Sequence, residues 1–187
     1  MNNEYQILLD EVRQNFASVV WTHKIQEKQA DYYRKKYTWL ETANIIVAAF
    51  TSCGIFSLLF CDAFATKIIT AILSFITLSI TAYFKSFDIK SQEKQNKEYA
   101  NKFLVIRNKL MHIICDIHLK HGSVNEISSN YSKIIDELNE LYISAPPTNE
   151  EAVNMASEAL KIRNDYTYTE EEIDNFLPES LRGKVGE

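Results

Sequence analysis

Two uncharged, mainly apolar stretches dominate the pattern of the chain, residues 42–61 (TANIIVAAFTSCGIFSLLFC) and residues 68–84 (IITAILSFITLSITAYF). As helices they would be roughly 30 Å and roughly 25 Å long, close to the thickness of a bilayer's hydrocarbon core. The residues between them, 62–67 (DAFATK), hold the only charges of the whole span and read as a tight turn. On either side the pattern changes to steps of four and three: Tyr5, Leu9, Val12, Phe16, Val19, His23; then Tyr99, Phe103, Ile106, Leu110, Ile113, Ile117; then Val124, Ile127, Tyr131, Ile134, Leu138, Leu141. Each series is the apolar stripe of an amphipathic helix that needs a partner.

Four glycines and three prolines punctuate 187 residues, too few for a chain built of short strands and turns. Gly122, after Lys120 and His121, reads as the stop between two helices, with cations in the last turn and glycine just past it. The prolines of residues 144–148 (SAPPT) end the next helix. Thr148 with Glu151 forms a capping box for a helix running to about Arg163, and Thr169 with Glu172 forms another for a short helix before Leu177 and Pro178. The chain is thus predicted to be an all-α membrane protein with a two-helix transmembrane hairpin and a cytoplasmic antiparallel helical bundle. Residues 1–41 would form an N-terminal amphipathic helix and 42–84 the hairpin, with spans 42–61 and 68–84 and outer turn 62–67. Residues 85–143 would form a helical hairpin, and 144–187 short helices and a tail.

Charge decides between this and a soluble bundle with an unusually apolar centre. The net −5 is split: residues 1–122 hold 15 Lys and Arg against 11 Asp and Glu, and residues 123–187 hold 5 against 14. Lys24, Lys28, Arg34, Lys35 and Lys36 precede the first run, and Lys85, Lys90, Lys94, Lys97 and Lys102 follow the second, whereas the turn has Lys67 alone. By the positive-inside rule both termini are cytoplasmic and the turn faces outward. Arg34, Lys35, Lys36, Tyr37, Trp39, Tyr83 and Lys85 then sit at one headgroup level as interface anchors. The N-terminus is amphipathic and acidic, so no cleavable signal peptide is expected and insertion falls to the two internal runs.

Within the second run Thr66, Thr70, Ser74, Thr77 and Thr81 keep to an arc of about 80° on one helix face. Such a hydroxyl stripe either packs against a neighbouring helix or lines a hydrated path between assembled copies. In the first run Ala49, Ser52, Cys53 and Ser57 offer small side chains for close helix contact.

Catalytic chemistry has no visible carrier. There is no phosphate-binding glycine loop and no nucleophile elbow, so an enzyme is not expected. His112, Cys115, His118 and His121 have ligand-like spacing, but steps of three spread them over about 180° of a helix, and neither a metal nor a cofactor is predicted. The three cysteines lack paired spacing and fit a reducing compartment. The basic residues near the spans are explained by anionic lipid, and no direct nucleic-acid contact is predicted.

The segments 21–36 (WTHKIQEKQADYYRKK), 146–160 (PPTNEEAVNMASEAL) and 169–182 (TEEEIDNFLPESLR), with the short-turned apolar hairpin, resemble the SLATT family. These are two-transmembrane effector domains associated with bacterial nucleotide-signalling and Rossmann-like sensor systems. Trp21, Thr22, Lys24, Glu172, Ile173, Leu177 and Pro178 are the motif positions that carry the likeness. The resemblance implies a bacterial inner-membrane effector of an anti-phage or conflict system, which oligomerises and permeabilises or depolarises the membrane once a partner senses infection. That partner would be a separate sensor or signalling protein: a nucleotide synthase, a reverse transcriptase or a Rossmann-like sensor. The alternative is a membrane-anchored scaffold or adaptor, in which the hairpin only anchors and the helices bind a cytoplasmic partner.

Overall fold

The computed structural model describes residues 3–57 and 64–176. It is built on α1 (Asn3–Ser57), 55 residues of unbroken helix. At 1.5 Å per residue this rod is roughly 80 Å long. The boundary expected at residues 41 and 42 is therefore no break: with no proline in α1 and its one glycine, Gly54, near the end, nothing interrupts the backbone ladder. The amphipathic helix and the first apolar run share one axis.

The return path is nearly as continuous. Helix α2 (Phe64–Phe87) leads into α3 (Ile89–Leu119) across one residue, Asp88, in the left-handed region at φ 36 and ψ 55. Its N–H still donates to Phe84 O at 3.1 Å, and the Gln92 N–H donates to Asp88 O at 3.2 Å. The Asp88 carboxylate accepts the Ser91 N–H at 3.2 Å, so the first turn of α3 is capped at the bend. Residues 64–67, expected in the turn, belong to α2, while Asp62 and Ala63 lie outside the described residues.

Lys120, not Gly122, is the left-handed cap of α3: its N–H reaches the carbonyls of Asp116 and Ile117, and the His121 N–H closes on Asp116 O at 2.9 Å. Gly122 follows at φ 96, where a side chain would be strained. Ser123 then caps α4 (Val124–Ser144). Helix α5 (Glu150–Lys161) starts one residue later than the expected cap at Thr148. Asn149 is the N-cap, because its N–H is drawn to Gln29 Oε1 at 2.8 Å while its own Oδ1 accepts from Ala152. The box at Thr169 forms as expected and opens α6 (Glu170–Phe176): the Glu172 carboxylate takes the Thr169 N–H at 2.8 Å, and Thr169 Oγ1 accepts the Glu172 N–H at 3.3 Å.

Among the described residues α1 packs against α2, α3, α4 and α5, and its contact with α2 extends back to Lys36 and Tyr37. The core of the bundle is the meeting of the three stripes. Val12, Val19, Phe103, Leu110, Ile117 and Leu138 are almost completely buried, with Leu9, Ile106, Ile127 and Tyr131 beside them. Burial of a side chain of this size contributes about 1.5–3 kcal/mol, so this part folds by ordinary hydrophobic association. Two buried glutamines fasten the proline-containing connection to the spine: Gln26 Nε2 donates to Pro146 O at 3.0 Å, and Gln29 takes the Asn149 N–H.

Candidate functional site

The apolar part of the molecule is turned inside out relative to the bundle. Phe50, Phe75 and Leu78 are 64%, 71% and 66% exposed, and Ile45, Ile46, Ile55, Phe56, Ile69 and Ile72 are exposed with them. Both helices are long and apolar enough to cross a membrane, and almost none of their apolar windows is buried in the protein. A soluble bundle with an apolar central hairpin would hide these side chains, and this chain displays them all round.

Only a narrow seam joins the two crossing helices. On α1 the less exposed positions are Ala43, Asn44, Val47, Ala48, Thr51, Gly54 and Ser57; on α2 they include Thr66, Thr70, Leu73, Thr77 and Ile80. The seam is tightest where Thr70, buried to 7%, sits on Gly54. The hydroxyl stripe is therefore divided. Thr66, Thr70 and Thr77 lie in the seam, whereas Ser74 and Thr81 are exposed, because an arc of about 80° is wider than the strip one neighbouring helix covers. Thr77 and Thr81 return their hydroxyls to the carbonyls of Leu73 and Thr77, at 3.1 and 2.9 Å. Within the seam two polar atoms are buried without a hydrogen-bond partner among the described residues, Thr70 Oγ1 and Asn44 Oδ1.

Ala49, Ser52 and Cys53 are not part of this contact. They are exposed, and Ala49 and Cys53 lie roughly 160° around the helix from Thr51, on the side of α1 turned away from α2. Ser57 is half-buried and bonds back to Gly54 O at 2.9 Å. Within one chain the small residues that face α2 include Thr51 and Gly54.

At the polar end of the seam rings and cations gather at one level. Tyr37 packs on Phe84 with centroids 5.2 Å apart, Lys36 lies 5.3 Å from the Tyr83 ring, and Lys90 lies 5.5 Å from Tyr37. Trp39 is 70% exposed, and Lys35 and Lys85 point outward; Arg34 is held by Asp31 at 2.8 Å. The structure thus brings Lys36, Tyr37 and Tyr83 together and leaves Trp39 free to face its surroundings.

Farther along α1 is a second constellation, around the motif positions. Lys24 is buried, with its ammonium 3.0 Å from Glu27 and 2.8 Å from Asp165, which follows α5. Tyr166 caps the pair: Lys24 lies 4.5 Å from its ring and Arg107 of α3 4.9 Å, while its hydroxyl is 3.0 Å from His23 Nδ1 and 3.2 Å from Glu27. If the hydroxyl donates to Glu27, the imidazole Nδ1–H donates to Tyr166, which fixes the tautomer of His23. Burial lowers His23 to about 4, against the opposing pull of Glu27, and the ring is neutral. Burial pushes Tyr166 up to about 12. Burial also works against the charge on Glu27, but the Lys24 ammonium, hydrogen-bonded to it, holds the carboxyl below its usual range. For Lys24 burial is likewise outweighed by Asp165 and Glu27, and its pKa is raised.

Trp21, next in the motif, is half-buried with Lys161 5.3 Å from its ring, and Thr22 donates to Ser18 O at 3.0 Å. Ile173 is 43% exposed, and Leu177 and Pro178 lie outside the described residues. Sequence reasoning missed Asp165, Tyr166 and Arg107, which come from three separate segments and share no spacing. It counted His23 as an apolar seam position; the one available signal was a lysine and a histidine adjacent on a stripe that is otherwise aliphatic and aromatic.

No cluster of metal-ligating side chains forms among the described residues. His112, Cys115 and His118 are exposed on α3, and His121 follows that helix, also exposed. Against known proteins, the family described as "SMODS and SLOG-associating 2TM effector domain family 4" matches residues 8–172. No curated protein and no solved structure matches the chain.

Proposed function

From the premise that the chain belongs to the SMODS and SLOG-associating 2TM effector domain family, and is a membrane protein with two spans, we propose that it permeabilises a membrane on behalf of a bacterial defence system. The observation that carries this reading is the divided hydroxyl stripe. One hairpin covers Thr66, Thr70 and Thr77 by itself and leaves Ser74 and Thr81 on a mainly apolar outer surface, where Ser52 and Ser79 are exposed as well. In lipid such hydroxyls gain from meeting other polar groups, and copies of the same hairpin supply them. In the activated state several hairpins associate with Ser74 and Thr81 turned toward one another, and the ring of hydroxyls forms a hydrated seam through which ions leak.

The membrane is the bacterial inner membrane, with both termini in the cytoplasm; the basic residues flanking the polar ends of both spans support that orientation. The polar bundle holds the resting state, and a separate sensor or signalling protein releases it. Reconstitution into dye-loaded liposomes tests the reading. Leakage is expected from the wild-type chain with its trigger, and Ser74→Leu with Thr81→Leu should abolish leakage while insertion persists. Equal leakage from that double variant would overturn it.

A membrane-anchored adaptor is the second reading, favoured by apolar residues exposed on the bundle itself, Ile143 and Ile162 at 87% and 74%. Replacing residues 42–84 with an unrelated two-span hairpin discriminates: an adaptor keeps its function, and a permeabilising assembly loses it.

A further inference from the structure

Beside the Lys24 cluster, residues of α1 and α3, Leu160 at the end of α5 and the segment 164–168 line a cavity of about 860 Å³. This is the size of a small-molecule site, lined by apolar walls with a few polar groups converging on it. It lies in the polar bundle and has no part in the seam between the spans.

Its polar groups are of three kinds. The first is cationic. Among the described residues Arg107 forms no ion pair with a carboxylate: its guanidinium lies over the Tyr166 ring at 4.9 Å and donates to the side chain of its neighbour Asn108 at 3.5 Å. Lys97 reaches Glu27 only at 3.8 Å. With His23 neutral and Glu27 already paired to Lys24, the cavity carries surplus positive charge. The second kind is amide. Asn101 and Asn108 stand two turns apart on the cavity face of α3, and the Asn101 side chain makes no hydrogen bond among the described residues. The third is aromatic. Lys24 and Arg107 already lie against Tyr166; the other rings on the cavity are Phe16, Tyr168 and Trp21, which Lys161 approaches to 5.3 Å without itself lining the cavity.

We propose that this cavity binds a nucleoside phosphate, with the base against Trp21 and Tyr168, its edge on Asn101 and Asn108, and the phosphate on Arg107 and Lys97. A guanidinium matches phosphate in geometry as well as charge. Aromatic faces take a base whatever its identity, and amides supply the paired donor and acceptor that a heterocycle's edge requires. A fatty or purely aliphatic anion would satisfy the charge and leave both amides unmatched. The bound molecule would tie the segment around Tyr166 and Tyr168 to α1 and α3 together. The inference rests on the bundle alone and holds or fails separately from membrane permeabilisation.

The test uses the full chain in detergent, titrated calorimetrically with AMP, GMP, CMP and UMP up to millimolar concentrations, with adenosine and inorganic phosphate as controls. At least one nucleotide should bind, at least about tenfold more tightly than either control. Arg107→Gln should weaken that binding about tenfold or more, and Arg107→Lys less. If Arg107→Gln lowers the unfolding temperature, Lys97→Gln, whose side chain is 56% exposed, carries the same test with a severalfold loss expected. The proposal is overturned if none of the four nucleotides binds, if a control binds as tightly, or if the folded charge-removal variant binds like wild type.

Discussion

Gly54 exists to make room for Thr70: a Cβ on Gly54 would overlap the threonine Oγ1, which is itself buried without a hydrogen-bond partner among the described residues. Gly54→Ala should therefore destabilise the hairpin by about 1–3 kcal/mol, because Thr70 can clear the new methyl only by changing rotamer or by pushing the two helices apart. Thr70→Ala should be near neutral or stabilising, since it removes a polar atom that gains nothing where it sits. Together the two changes should recover most of the loss, giving a coupling of about 1 kcal/mol or more. Unfolding of the four proteins in detergent measures it; additive effects would show that the helices do not meet here.

Lys24 is the joint between the spine and the segment after α5. Lys24→Met keeps the aliphatic stem and removes the ammonium from Glu27 and Asp165. Breaking a buried pair costs about 3–5 kcal/mol, but both carboxylates are about a quarter exposed, so about 2 kcal/mol is expected. Hydrogen exchange should accelerate first in residues 164–168, ahead of α3 and α4. Uniform acceleration across the bundle would mean that Lys24 supports the core and not the segment.

His23 makes the bundle sensitive to acid. Its folded pKa of about 4 lies below the ordinary 6.5, so the unfolded chain takes up a proton that the folded chain refuses. Stability should be independent of this group above pH 6.5, fall as pH drops from 6.5 to about 4, and level off below. Glu27 adds a separate loss at lower pH: its contribution is present above 4.5 and disappears as pH falls through its depressed folded value. Denaturant titrations across this range should show the upper slope in wild type and lose it in His23→Gln, with the lower one retained.

The sequence revealed what depends on period and run length. The steps of four and three from Tyr5 to Leu141 named the bundle's core, because amphipathic helices can bury their stripes only on each other, and two uncharged runs either side of a short turn named the hairpin. It did not reveal azimuth. Both Ala49–Cys53 and Thr51–Gly54 are small-residue rows, and only the position of α2 selects the second. Nor did it reveal the Lys24 cluster, since Asp165 and Tyr166 reach α1 across more than a hundred residues of chain. Ion pairs of that kind carry no periodic signature, whereas the local capping box of Thr169 and Glu172 could be read directly.

Asp88 is where the spans hand over to the bundle, and its left-handed backbone is the only departure from helix between Phe64 and Leu119. A non-glycine residue pays roughly 1–2 kcal/mol for that conformation, and here the side chain offsets it by capping Ser91. Asp88→Gly relieves the strain and loses the cap, so a change within about 1 kcal/mol is expected. Asp88→Ala keeps the strain, loses the cap and has high helix propensity, so it should drive α2 and α3 toward one straight helix. Spin labels on exposed positions of α2 and α3, such as Leu78 and Val105, report the angle across the bend. Their separation should lengthen in Asp88→Ala and stay at the wild-type value in Asp88→Gly. An unchanged separation in both variants would show that packing of α1 against α2 and α3, and not residue 88, sets the angle between span and bundle.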